Sequence, residues 1–126
     1  MPGMHRTDPV LAALARLDLF ASARNDLLAT LLPDTDVMAV PSGTVIARSG
    51  SYPHQLVGVL EGALEATHDD GTISLVGVGR SVGGPHLFDG SAYEATYSAV
   101  APSLLVVVFG PALRAALFPA AQPASA

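Results

Sequence analysis

Val82-Gly83-Gly84-Pro85-His86-Leu87-Phe88-Asp89-Gly90-Ser91-Ala92-Tyr93-Glu94-Ala95-Thr96 reads as a tight turn, a short helix, a second turn and the start of a strand. Gly83 and Gly84 tolerate the positive φ that such a turn can demand. Pro85 suits the first turn of a helix but has no N–H to offer. A helix that opens at a glycine turn points backbone N–H groups outward and is a natural place for an anion. Yet the stretch holds no arginine or lysine, and it carries the carboxylates of Asp89 and Glu94.

On either side of it, short apolar runs alternate with turn chemistry about every ten residues, the signature of an antiparallel sandwich or barrel. Strands are expected near Asp36–Val40, Thr44–Arg48, Gln55–Glu61, Ala63–His68, Ile73–Val78, Tyr93–Ala99 and Ser103–Phe109. Between them stand Pro41-Ser42-Gly43, Ser49-Gly50-Ser51, Gly62, Asp69-Asp70-Gly71 and Gly79. Asp70-Gly71 is a hairpin signal. Before this β region lie two helical patterns. In the first, Asp8 can cap, Pro9 occupies the first turn, and Val10, Leu11, Leu14 and Leu17 recur at helical spacing. The second runs from about Ser22 to Leu32 on a stripe of Leu27, Leu28, Leu31 and Leu32, and Pro33 ends it. Pro111 opens a last short helix over Ala112–Phe118. Residues 1–7 read as a flexible start, 8–118 as one domain and 119–126 as a disordered tail.

Half of the 126 residues are hydrophobic and 13% are charged, which fits a single packed domain and argues against disorder. No apolar run is long enough to span a bilayer; the longest, Leu104–Phe109, is strand-sized. The start of the chain is not a basic segment followed by an apolar one, so membrane insertion is not expected and a cytoplasmic setting is. The absence of cysteine removes disulfides, thiolate metal sites and cysteine nucleophiles, and the absence of lysine removes Schiff-base chemistry. The net charge is −5, and the arginines (Arg6, Arg16, Arg24, Arg48, Arg80, Arg114) do not cluster, so nucleic-acid binding is not expected. No nucleophile elbow, phosphate-binding loop or paired carboxylates appear, and no catalytic residue, metal site or cofactor is assigned.

The order of these pieces resembles the cyclic-nucleotide-binding domain, the β-roll shared by catabolite-activator-type regulators, cyclic-nucleotide-gated channels and kinase regulatory subunits. The resemblance runs from about Leu14 to Phe118. It rests on Leu17-Asp18-Leu19-Phe20, Val40-Pro41-Ser42-Gly43-Thr44-Val45-Ile46, Arg48-Ser49-Gly50, Val59-Leu60-Glu61-Gly62 and Val78-Gly79-Arg80-Ser81-Val82-Gly83, which leads into the cassette. It implies a mainly β fold: an antiparallel β-roll with two N-terminal helices and one short C-terminal helix. Family cassettes read roughly Phe-Gly-Glu, a short helix, then Arg-x-Ala-Thr. Here Gly84 stands at the Glu position and Tyr93 at the Arg position.

That departure sets the functional expectation. The resemblance places a ligand pocket at Gly83, Gly84, His86, Tyr93, Ala95 and Thr96. In the family an arginine fork pairs with the cyclic phosphate and a carboxylate accepts from the ribose hydroxyl. Charge-assisted hydrogen bonds contribute about 1.5–3 kcal/mol each, so a lost bidentate arginine costs roughly 3–5 kcal/mol. That is roughly two to three orders of magnitude in affinity. High-affinity binding of cyclic AMP or cyclic GMP is therefore not expected. The reading is a non-catalytic regulatory or interaction module, an accessory subunit docking on a partner protein. One alternative is a sensor of an atypical nucleotide or other small molecule in the cassette pocket. Another is a cupin-like metalloenzyme using His54, Glu61, His68 and His86, although the His-x-His pair of a cupin is missing. If the chain is the full protein, nothing follows the last helix to read DNA.

Overall fold

A computed structural model describes residues 7–117. The flexible start and disordered tail expected from the sequence lie, apart from Thr7, outside the described residues, as does Phe118. The elements are α1 (Thr7–Ala15), α2 (Asn25–Leu31), β1 (Thr35–Val40), β2 (Val45–Ala47), β3 (Gln55–Glu61), β4 (Leu64–His68), β5 (Ile73–Val76), β6 (Ser81–Val82), α3 (Gly84–Asp89), β7 (Ala95–Ala99), β8 (Ser103–Phe109) and α4 (Gly110–Leu117). Two antiparallel four-stranded sheets face each other, in the orders β1-β8-β3-β6 and β2-β7-β4-β5. This is the mainly β roll with flanking helices that the sequence implied.

β3 and β8 form the centre because their sequences are apolar on both faces. They pair with each other from Gln55↔Phe109 to Glu61↔Leu104. Leu56, Leu60, Val106 and Val108 face the helices, where they meet Leu14, Leu17, Phe20, Leu28, Leu31, Leu87 and Leu113. The alternate residues Val57, Val59, Leu105 and Val107 face the roll interior with Val40, Leu64, Val82, Tyr93 and Ala99. One pair of strands thus serves two cores, as the two-residue alternation of side chains allows.

The sequence expected one continuous helix from Ser22, but α2 begins three residues later, at Asn25. Between the two helices a 3-10 turn forms at Asp18–Phe20, preceded by an extended Leu17, and both Leu17 and Phe20 are buried. Pro33 does not simply stop α2; it sits inside a second 3-10 turn, Leu32–Asp34. β5 ends at Val76, short of the expected Val78, because Gly77 and Gly79 turn the chain so that the Gly79 carbonyl accepts the Asp18 N–H at 2.7 Å. The next strand, β6, has two residues and was not expected; it pairs through Val57↔Val82 and Gly58↔Ser81.

Candidate functional site: the cassette and its cleft

β6 delivers the chain to Gly83, whose φ of +102° is a left-handed conformation that favours glycine. A Cβ there would stand 3.0 Å from the Gln55 carbonyl oxygen and 3.1 Å from the Tyr93 hydroxyl. Gly84 differs. Its backbone is ordinary, and an added Cβ would meet only Leu56 Cδ1 at 3.6 Å, a normal contact. Geometry therefore requires glycine at Gly83 and not at Gly84, the position where family members carry glutamate.

Pro85 occupies the first turn of α3, and Gly90, at φ +77°, ends the helix after six residues by donating its N–H to the His86 carbonyl. Leu87 anchors it in the helix-side core. His86 lies on the other side of α3, with Nδ1 2.7 Å from Ser91 Oγ. Ser91 in turn donates both its hydroxyl and its N–H to Asp89 Oδ1. Those two hydrogen bonds, followed by the nearby His86 ring, hold the Asp89 carboxyl below its usual pKa.

Tyr93 precedes β7 rather than opening it. The chain is held there by Tyr93 N–H donating to the Ser51 carbonyl and Gly50 N–H donating to the Tyr93 carbonyl, both at 2.9 Å. This pairing turns the phenol inward, where the residue is only 6% exposed. Its ring meets His86 edge-on at 5.5 Å and Tyr97 edge-on at 5.7 Å. Burial, then the neighbouring Tyr97, pushes its pKa above the usual phenol value, so the hydroxyl stays neutral.

The six residues placed in a ligand pocket by the sequence thus divide. Gly83, His86 and Tyr93 converge, and Gly84 lies buried behind them. Ala95 is buried at 1% exposure in the roll interior. Thr96 follows the strand alternation to the opposite face, where its hydroxyl accepts the Ser49 N–H at 3.0 Å. Of the six, Tyr93 alone lines the adjoining cleft, which has a volume of about 500 Å³ and walls that include Ile46, Tyr52, His54, Gln55 and Val57. No carboxylate or arginine is among its lining residues. Arg48 lines a neighbouring groove that shares the Ile46, Ala47 and Ser51 walls. Tyr52, Gln55 and Val57 belong to no motif, so nothing in the sequence marks them as lining residues.

The four residues considered as cupin-like ligands do not meet. His54 is on the cleft rim, Glu61 ends β3, His68 bonds Ser74 Oγ at 3.0 Å, and His86 is on α3. Among the described residues no three His, Cys, Asp or Glu side chains converge as a metal site would need.

Comparison with known proteins follows the same lines. The model of the cyclic nucleotide-binding domain family matches residues 37–118, well over half of the chain. No curated protein matches. Among solved structures, the sensor domain of the transcriptional regulator DNR from Pseudomonas aeruginosa is similar at a TM-score of 0.76 and 22% identity, over 86% of this chain and 80% of that one. The regulatory subunit of a cAMP-independent protein kinase A from Trypanosoma brucei is similar at 0.75 and 19%, over 94% and 47%. A triple mutant of that subunit, bound to cAMP in the A site, is similar at 0.70 and 20%, over 90% and 46%. The chain therefore spans less than half of either Trypanosoma chain. Fold, element order and the match across both sheets agree: this chain belongs to the cyclic nucleotide-binding domain family.

Proposed function

We propose that this domain is a non-catalytic regulatory module that acts by docking on a partner protein, and that it does not bind cyclic AMP or cyclic GMP with high affinity. The observation that carries the reading is Tyr93. A neutral, buried phenol occupies the position where the family places a phosphate-binding arginine, and no arginine lines the cleft beside it. A phenol supplies one neutral hydrogen bond where a guanidinium supplies a charged fork. Glu94, next in the chain, adds an exposed carboxylate of the wrong sign. A fold of this kind is found in a cAMP-independent kinase subunit, which supports separating the fold from the nucleotide.

Docking is supported by β5, the edge strand of its sheet. Ile73 and Leu75 are 61% and 68% exposed on one face of it, with Val78 just beyond. An exposed apolar edge is a surface that partners cover. A net charge of −5 with scattered arginines supports a protein rather than a nucleic acid as the partner. The cysteine-free composition fits a cytoplasmic setting. No helix among the described residues is long and apolar enough to cross a membrane.

Affinity isolation of the tagged chain from its native source tests the role. The expected result is a stoichiometric partner that is lost on the double change Ile73→Ser, Leu75→Ser. Recovery of the domain alone, with a bound cyclic nucleotide, would contradict it.

A further inference from the structure

The cleft beside the cassette offers no arginine to an anion. At about 500 Å³ it falls within the range of small-molecule sites. Its floor is apolar (Ile46, Val57), and its rim carries the exposed ring of Tyr52 together with His54 and Gln55. No formally charged side chain lines it. The Tyr93 hydroxyl belongs to a residue 94% buried, by its 6% exposure, yet makes no hydrogen bond among the described residues. Here the oxygen is not sealed in, since no fully buried side-chain oxygen lacks a partner and Tyr93 is part of the cleft wall. The same three walls, Ile46, Gln55 and Val57, also bound a second apolar cleft of about 130 Å³ toward Met38 and Leu105.

We propose that this cleft binds an uncharged small molecule with a flat or apolar body and one hydrogen-bond acceptor, which takes the Tyr93 O–H. The inference rests on the reading above that the cassette does not hold a cyclic phosphate. Tyr93 then has a positive role: it swaps an anion site for a neutral one. Raised by burial, its phenol remains a donor across the physiological range.

Amide NMR titration of the intact chain tests this, with coumarin as the neutral, planar, carbonyl-bearing probe and cyclic AMP in parallel. Coumarin is expected to give saturable shifts at Ile46, Gln55, Val57 and Tyr93. Tyr93→Phe is expected to weaken it about fivefold, the loss of one neutral hydrogen bond. Ala47→Phe, which fills the cleft without removing the hydroxyl, is expected to abolish the shifts even if Tyr93→Phe fails to fold. No shift up to the solubility limit, shifts confined to Ile73 and Leu75, or full affinity in either folded variant would overturn the proposal. Micromolar cyclic AMP binding at the same amides would instead overturn the reading under Proposed function, and the coumarin result would still decide this one.

Discussion

Replacing Gly58 with alanine tests how the helical layer is joined to the roll. Gly58 lies on β3, facing the helices, and a Cβ there would stand 2.5 Å from both Cδ atoms of Leu17. Leu17 is itself only 1% exposed, so its branch has little room to retreat. Overpacking of this kind costs about 1–3 kcal/mol. The alanine returns about 0.5–1 kcal/mol by restricting the unfolded chain. Gly58→Ala is therefore expected to destabilise the domain by roughly 1–2 kcal/mol. Leu17→Ala opens a cavity and should cost about 2–5 kcal/mol. In that background the new methyl enters empty space, so Gly58→Ala becomes neutral or stabilising by up to about 1 kcal/mol. The coupling is then about 1–3 kcal/mol, within the range measured for residues in contact. Urea denaturation of the four proteins reads it directly. At a slope of about 2 kcal/mol per molar, a 2 kcal/mol effect moves the midpoint by about 1 M. Equal midpoint shifts from Gly58→Ala in both backgrounds would refute the contact and the docking of the helices through it.

Two further outcomes follow from the geometry. Gly62→Ala should be more severe than Gly58→Ala, at about 2–4 kcal/mol, because φ is +87° and its Cβ would sit 2.7 Å from the Pro102 carbonyl and 2.9 Å from Ser103 Cα, backbone atoms that cannot move aside. Adding Ser103→Ala should not rescue it, and recovery of the midpoint by that second change would show that only the serine hydroxyl was in the way. Asp89 gives a pH test: its lowered pKa means a stabilising contribution present above the ordinary aspartate value and lost as pH falls through the lowered one. Ser91→Ala should raise the Asp89 midpoint toward the ordinary value in a carboxyl carbon NMR titration, and an unchanged midpoint would contradict the Ser91 assignment.

Much of this architecture was legible because its signals were local. Gln55–Glu61 and Ser103–Phe109 emerge as strands with their full bounds, since each is an apolar run closed by turn residues. β6 escaped because two residues carry no period, and only pairing with β3 makes them a strand. The 3-10 turn at Asp18–Phe20 escaped because three residues are too few to show a period; it buries Phe20 beside Leu17. In the cassette, the missing arginine could be read from the sequence, and the inward turn of Tyr93 could not. It depends on backbone bonds to Gly50 and Ser51, far away in the chain. Those bonds also bring Tyr52, His54 and Gln55 beside the phenol and so create a cleft that no motif announced.

We propose that Tyr93, in place of an arginine, removes the chemistry for a cyclic phosphate while the fold persists. Titration calorimetry of the purified chain with cyclic AMP and cyclic GMP at physiological ionic strength decides this. No saturable heat is expected below millimolar ligand, from a protein that still unfolds cooperatively. A one-to-one isotherm with a micromolar Kd for either nucleotide would contradict it.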